Sequence, residues 1–200
     1  MYDIIAHNYS EIFPLDANRL EFIKSYFPDK SNPLLDIGCA TGDLAIALAK
    51  EGYPVKAFDL NQKMISIARE RTSNLENPQF KVLDMMNIDK YPKNTFQGLL
   101  CFGNTLPHLQ SLQKIQQFFT KSYNLLVIGG DFLIQILNFD KILQEERINF
   151  PIIESKEFTF IREYSKIKKD SIQFKITIID KINDTVHSDS NILLPINQET

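Results

Sequence analysis

The sequence predicts an α/β fold: a doubly wound, mostly parallel sheet with helices on both faces, extended by a small antiparallel β-hairpin cap. Three observations lead there. Between residues 34 and 137, apolar runs of strand length alternate with amphipathic segments of helix length. The first run passes into a helix through a turn carrying two glycines, Asp36-Ile37-Gly38-Cys39-Ala40-Thr41-Gly42. After Phe150 the pattern changes to strict apolar–polar alternation, the period of half-buried strands.

The opening segment sets Ile4, Ile5, Ile12, Phe13, Leu20, Phe22, Ile23 and Phe27 at roughly helical intervals, and Pro14 divides it into two short helices. Leu34 to Ile37 reads as the first strand, and Leu44, Ile46, Ala47, Leu48 and Ala49 suit a packed helix after the turn. Pro54 to Phe58 reads as a second strand, and Gln62 to Arg71 as a helix that buries Met64, Ile65, Ile67 and Ala68. Phe80 to Leu83 gives a third strand, Gly98 to Phe102 a fourth, Leu112 to Leu126 a helix, and Phe132 to Leu137 a fifth strand after Gly129-Gly130. Glu157 to Ser165 and Ile172 to Ile179 then pair as a hairpin around Lys166-Ile167-Lys168-Lys169-Asp170.

Two hundred residues, 44% hydrophobic and 24% charged, suffice for one core and argue against disorder. The formal net charge of −3 lacks the basic field that gathers nucleic-acid phosphates, so a small-molecule partner is expected and no nucleic acid. Lys166, Lys168 and Lys169 read as a solvated hairpin tip. No stretch approaches about 18 uninterrupted apolar residues, and the first seven residues lack a basic-then-apolar leader, so a cytoplasmic protein without membrane contact is expected. Cys39 and Cys101 fall in apolar runs and the three histidines are scattered, so neither a disulfide framework nor a metal site is expected.

In open parallel sheets, ligands bind beyond the carboxyl ends of the strands, where this turn lies. Gly38 and Gly42 would let backbone approach a ligand, and the next helix offers free amides at its start. Asp36 precedes the turn, and Asp59 ends the second strand 23 residues later, a separation that suits a carboxylate accepting ribose hydroxyls. A dinucleotide fingerprint beginning at Gly38 wants glycine at positions 40 and 43, where the chain has Ala40 and Asp43, so a pyrophosphate is disfavoured.

Together these residues resemble the class I S-adenosylmethionine-dependent methyltransferases over nearly the whole chain. S-adenosylmethionine carries no phosphate, and its ammonium and sulfonium groups are cationic, which accommodates Asp36 and Asp43. The resemblance implies a Rossmann-like core, S-adenosyl-L-methionine as cofactor and S-adenosyl-L-homocysteine as product. It places Leu34 to Gly42, with Asp36, Gly38, Cys39, Ala40 and Gly42, around the methionine part, Asp59 at the ribose, and Asp84-Met85 beside adenine. Leu60 and Met64 add apolar contact, while Asp84 taken alone reads equally as a turn residue. Cys39 and Ala40 stand where the family often has glycine or another small residue, which stiffens the turn. An NAD(P)-dependent oxidoreductase and a non-catalytic S-adenosylmethionine-binding regulatory domain are the alternatives.

The loop Cys101-Phe102-Gly103-Asn104-Thr105-Leu106-Pro107-His108-Leu109 follows the fourth strand, where the family places groups facing the reactive methyl. Cys101, Phe102 and Gly103 are accordingly expected at the cofactor. The loop lacks the Asn/Asp-Pro-Pro-aromatic sequence of nucleic-acid and protein-glutamine amino-methylating enzymes. It looks instead like that of glycine and sarcosine N-methyltransferases and many small-molecule methyltransferases. The likeness implies in-line methyl transfer to a nitrogen or oxygen nucleophile of a small molecule, with His108, Asn104 and Tyr9 as catalytic candidates. Asn104 would orient cofactor or substrate. His108 would bind a substrate carboxylate or accept a proton, or else be a helix-start histidine bound to backbone. Tyr2-Asp3, Ala6 and Tyr9 resemble a frequent opening of these enzymes. Arg19 either pairs the cofactor carboxylate or is solvated. Arg162 and Tyr164 share one face of their strand, which points to the cleft or to water, and Gln135 and Asn138 near the end of the fifth strand are similar cases.

Residues 1–30 are thus expected to form a helical lid, 31–150 the cofactor-binding core, and 151–200 the cap and a shortened C-terminal part, within one domain. In the family a helix and two antiparallel strands follow the segment matching Ile192 to Ile196, whereas this sequence stops at Thr200. The edge beside the fifth strand is expected to be open, which favours a homo-oligomer or a covering partner.

Overall fold

Strands that are buried on both faces read as continuous apolar runs, and Leu34–Ile37 (β1) is buried at all four positions for that reason. The computed structural model describes residues 2–145, 147–168 and 170–196. With β1, the strands Val55–Asp59 (β2), Gln79–Val82 (β3), Phe96–Cys101 (β4) and Leu126–Ile134 (β5) form a parallel sheet in the order β3-β2-β1-β4-β5. The chain winds outward from β1 to β3 and then returns to β4 on its other side. The loops after β1 and β4 therefore diverge over one crevice, the place where such sheets bind ligands.

The helices are Tyr9–Ile12 (α1), Ala17–Tyr26 (α2), Asp43–Lys50 (α3), Gln62–Glu70 (α4), Leu112–Tyr123 (α5) and Phe139–Leu143 (α6), with a 3-10 segment at Tyr2–Asn8 ahead of α1. One sheet face buries Leu34, Val55, Ala57 and Leu100 against Ile23 of α2, Leu44 and Leu48 of α3, and Ile65 of α4. The other buries Leu35, Ile37, Leu99 and Cys101 against Ile115 and Phe118 of α5. Each such aliphatic or aromatic side chain contributes about 1.5–3 kcal/mol on burial. Side-chain caps fix the starts of α2 and α4: the Asp16 carboxylate accepts from Asn18 N, and the Asn61 side-chain carbonyl accepts from Met64 N.

The fifth strand starts six residues earlier than its apolar run suggests. A register shift between Phe96 and Gly98 absorbs Gly129 and Gly130 into β5, and α5 ends correspondingly at Tyr123. Among the described residues no strand pairs with the outer edge of β5, where Ile128 is fully exposed.

The alternating segments form the expected hairpin, Phe158–Lys168 (β8) with Ser171–Asp180 (β9). It belongs to a larger antiparallel sheet with Arg147–Asn149 (β6), Ile153–Glu154 (β7) and Thr185–Leu193 (β10), in the order β10-β9-β8-β6 with β7 also on β8. β10 has no alternating signal, because it is an edge strand exposed from Thr185 to Asp189, and β6 and β7 are too short to show one. Lys169 of the basic tip lies outside the described residues. The inner face of this sheet, with Phe158, Phe160, Ile176 and Ile178, packs on Ile5 and Ile12 of the amino-terminal segment. That contact holds the segment over the crevice. Among the described residues no helix is long and apolar enough to cross a membrane.

Candidate active site

A cleft of about 800 Å³ lies beyond the carboxyl ends of β1, β2 and β4, between the parallel sheet, the amino-terminal segment and the inner face of β8–β10. Its size is in the range of about 300–1,000 Å³ usual for small-molecule sites.

One half is made of strand ends. Gly38 and Gly42 bracket the turn after β1 with φ of +72° and +82°. A Cβ on Gly38 would stand 2.6 Å from Thr105 Cγ2, and one on Gly42 would stand 2.5 Å from Phe80 Cζ. Close packing of the turn against the β4 loop and β3 is thus what demands these glycines. Ala40 between them also has a positive φ, +48°, and its N–H donates to Asp59 Oδ2 at 2.9 Å. Asp59 Oδ1 accepts from Asn61 N at 2.8 Å, so the acid at the end of β2 fixes the turn without exhausting its roughly four acceptor positions. Burial raises the Asp59 carboxyl, against the pull of these backbone donors.

Asp36 is 4% exposed and its Oδ2 has no hydrogen-bond partner. Burial and then the neighbouring Asp59 charge push it up to about 7, against the pull of Arg19. An orphaned carboxylate oxygen in a cleft suits a cationic ligand group. Asp84 lines the cleft and also caps the 3-10 segment Met85–Lys90 by accepting from Met86 N at 2.8 Å, as a turn residue does.

The amino-terminal segment is tied to the turn by a polar cluster. Ser10 Oγ and Thr41 Oγ1 donate to Asp43 Oδ2 at 2.7 and 2.9 Å, and Arg71 bonds Asp43 Oδ1 at 2.7 Å and Thr41 O at 2.9 Å. Burial works against the Asp43 anion, but the bonds from Arg71, Ser10 and Thr41 prevail and hold its carboxyl below the usual range. A paired carboxylate at the start of α3 is a poor neighbour for a pyrophosphate.

The other half is made of side chains from distant segments. Asn104, in the left-handed region at φ +64°, donates its N–H to Gln135 O and accepts at Oδ1 from Leu137 N at 3.1 Å. Gly103 N donates to Gln135 Oε1 at 2.8 Å, so the end of β5 is stitched to the β4 loop. Tyr164, Phe174 and Asn191 form one cross-strand row of β8, β9 and β10, and the rings of Tyr164 and Phe174 stack at 4.7 Å. Burial drives the Tyr164 phenol up to about 12, against Arg162 and a hydrogen bond with Asn104. His108 Nε2 lies 3.1 Å from Tyr2 Oη, a side-chain contact rather than a backbone one. Burial pulls its imidazole down to about 4, so it is neutral near pH 7. Burial and nearby carboxylates raise the Tyr9 phenol.

Of the expected cofactor residues, Asp36, Gly38, Cys39, Ala40 and Asp59 line the cleft, as do Leu60, Met64, Asp84, Met85, Phe102 and Gly103. Gly42 and Cys101 do not: Gly42 caps α3, and Cys101 is fully buried in β4. Tyr9, Asn104, His108 and Tyr2 share the cleft with Arg19, whose guanidinium lies 5.4 Å from the centre of the Phe102 ring. Arg162, Tyr164 and Gln135 also face in, whereas Asn138 caps α6. Leu137, Phe174 and Asn191 line the cleft without having been expected there. The inward alternation of β9 could have pointed to Phe174, but the polar run around Asn191 carries no such signal. Among the described residues no group of three His, Cys, Asp or Glu side chains could hold a metal ion.

Residues 34–130, from the start of β1 into β5, match the family described as a methyltransferase domain. A protein of Geobacillus sp. (strain WCH70), whose name specifies a methyltransferase and no acceptor, is 29% identical over 154 residues, 72% of this chain and 62% of the relative. Human glycine N-methyltransferase is 31% identical over 124 residues, 55% of this chain and 42% of the relative. The chain thus spans less than two thirds of the length of either. A solved S-adenosylmethionine-dependent methyltransferase from Clostridium acetobutylicum ATCC 824 superposes with a TM-score of 0.80 at 21% identity, covering 99% of this chain and 83% of that one. The matched span holds β1 to β4 and the start of β5 with the glycine turn and its acids, and in that span and in its fold the chain resembles the class I S-adenosylmethionine-dependent methyltransferases.

Proposed function

We propose that this chain binds S-adenosyl-L-methionine in the strand-end half of the cleft and transfers its methyl group to a nitrogen or oxygen of a small molecule seated in the other half. The observation that carries this reading is the pair of buried acids: Asp36 has an unpartnered oxygen, and Asp59 is anchored to the turn with acceptor positions to spare. Asp59 would take the ribose hydroxyls, Asp36 the ammonium, Arg19 the carboxylate, and Met64, Met85 and Leu60 the adenine. The cofactor supplies an already activated methyl group, so the protein's task is alignment and exclusion of water, worth on the order of 7–11 kcal/mol in favourable cases. The amino-terminal segment and β8–β10 close the cleft. Neutral His108 offers a ring nitrogen to an acceptor N–H or O–H, with Tyr2 orienting it. Asn104 positions the loop through Gln135 and Leu137. Ala40 and the occupied Asp43 disfavour a nicotinamide dinucleotide.

The test is calorimetry with S-adenosylmethionine, S-adenosylhomocysteine and NAD, followed by a labelled-methyl assay over small amines, acids and phenols. Binding of the first two without NAD, and transfer to a small acceptor, is the expected result. Binding of NAD alone contradicts the reading, and cofactor binding without transfer across a broad panel favours a regulatory binding domain.

A further inference from the structure

The acceptor half of the cleft holds one permanent cation among its described lining residues, Arg162 of β8, and the chain does not neutralise it. Its guanidinium carbon lies 4.5 Å from the ring centre of Phe150 and 5.4 Å from that of Phe13. Its Nε is buried with no hydrogen-bond partner. Among the described residues no carboxylate forms an ion pair with it; of the cleft's acids, Asp36, Asp43, Asp59 and Asp84 belong to the strand-end half, and Asp3 of the amino-terminal segment accepts from Asn61 Nδ2 at 2.8 Å. Aromatic faces steady a guanidinium but take up none of its in-plane N–H donors at full strength. A guanidinium in a cleft whose buried Nε–H is left open is an arrangement that can pair bidentately with a carboxylate or phosphoryl group. His108 cannot supply this charge, because it is neutral near pH 7. The position is also well placed: Arg162 is two residues along β8 from Tyr164, on the same inward face, so an anion held there sets its attached nucleophile beside the stacked Tyr164 and Phe174 rings.

We propose that the methyl acceptor is an anionic small molecule, bearing a carboxylate or phosphoryl group that Arg162 holds while the aromatic walls seat its apolar part. This rests on the methyltransferase reading of the same cleft, and the experiment separates the two. Protein saturated with S-adenosylhomocysteine is titrated calorimetrically with benzoate, phenyl phosphate and neutral benzamide. Failure of S-adenosylhomocysteine itself to bind would count against the cofactor reading, before any anion is added. With the cofactor product bound, at least one anion is expected to bind ten-fold or more tightly than benzamide, and the stronger of the two identifies carboxylate or phosphoryl recognition. Arg162→Gln should erase that preference and leave S-adenosylhomocysteine affinity within two-fold, while Arg162→Lys, which keeps the charge but not the fork, should retain part of it. Benzamide binding as tightly as both anions, binding of none of the three, or an anion preference that survives in Arg162→Gln would overturn the proposal.

Discussion

On its strand-end side the cleft is lined by residues within a few positions of the last residue of β1, β2, β3 or β4, held largely by backbone hydrogen bonds. On its other side it is lined by Tyr2 and Tyr9, by His108, and by Arg162, Tyr164, Phe174 and Asn191, whose places depend on packing between distant segments. The first half inherits its geometry from sheet topology, which tolerates little change. The second can be rebuilt by substituting side chains on a fixed sheet, so the first is suited to a constant ligand and the second to a variable one.

The largest contrast should appear with pH, because the two halves hold buried groups shifted in opposite directions. Asp36 is raised in the folded state, so its contribution to stability is full below its unfolded pKa near 4 and is lost as pH rises through about 7. His108 is lowered, so its contribution is full above about 6.5 and is lost as pH falls through about 4. Each effect is worth on the order of 3–4 kcal/mol at most. The two effects oppose each other over much the same range, so urea unfolding of the ligand-free protein from pH 4 to 8 should show stability rising more with pH in Asp36→Asn than in the wild type, and falling more with pH in His108→Gln. Wild-type pH dependence in both variants would break the contrast.

Gly38→Ala comes next. A left-handed alanine costs roughly 1–2 kcal/mol, and its Cβ would meet Thr105, so stability should fall by about 2–3 kcal/mol and S-adenosylmethionine binding should weaken at least ten-fold. Tyr164→Phe should sharpen the division from the other side: removal of the phenol's bond with Asn104 costs about 1 kcal/mol, turnover should drop several-fold, and cofactor affinity should stay within two-fold. A large loss of cofactor affinity in this variant would show that the halves are one unit. The smallest effect belongs to Ala40→Gly, where relief of a positive φ is offset by glycine's greater unfolded freedom, leaving a gain under about 1 kcal/mol in thermal unfolding.

The same division explains what the sequence made legible. The parallel strands and their helices were readable because burial on two faces writes continuous apolar runs, and Asp36 and Asp59 stood out as acids within or at the end of such runs. Gly38 was legible as a necessary glycine, but its cause, the approach of Thr105, depends on a loop 67 residues away. Arg162 and Tyr164 could be placed on one face of β8 by alternation, yet which way that face pointed required the packing of Phe160 and Ile176 on the amino-terminal segment. Asn191 was invisible, since an exposed edge strand needs no periodicity in its side chains. The burial that leaves His108 neutral likewise arises from neighbours remote in sequence.

The most direct test of the central claim is calorimetric titration of S-adenosylmethionine into the wild type and Asp59→Ala. The substitution removes both the proposed ribose acceptor and the anchor of Ala40 and Asn61. One-to-one binding by the wild type, weakened about 100-fold in the variant, is predicted from the loss of charge-assisted hydrogen bonds worth about 1.5–3 kcal/mol each. No binding by the wild type, or equal affinity in both proteins, would contradict the account.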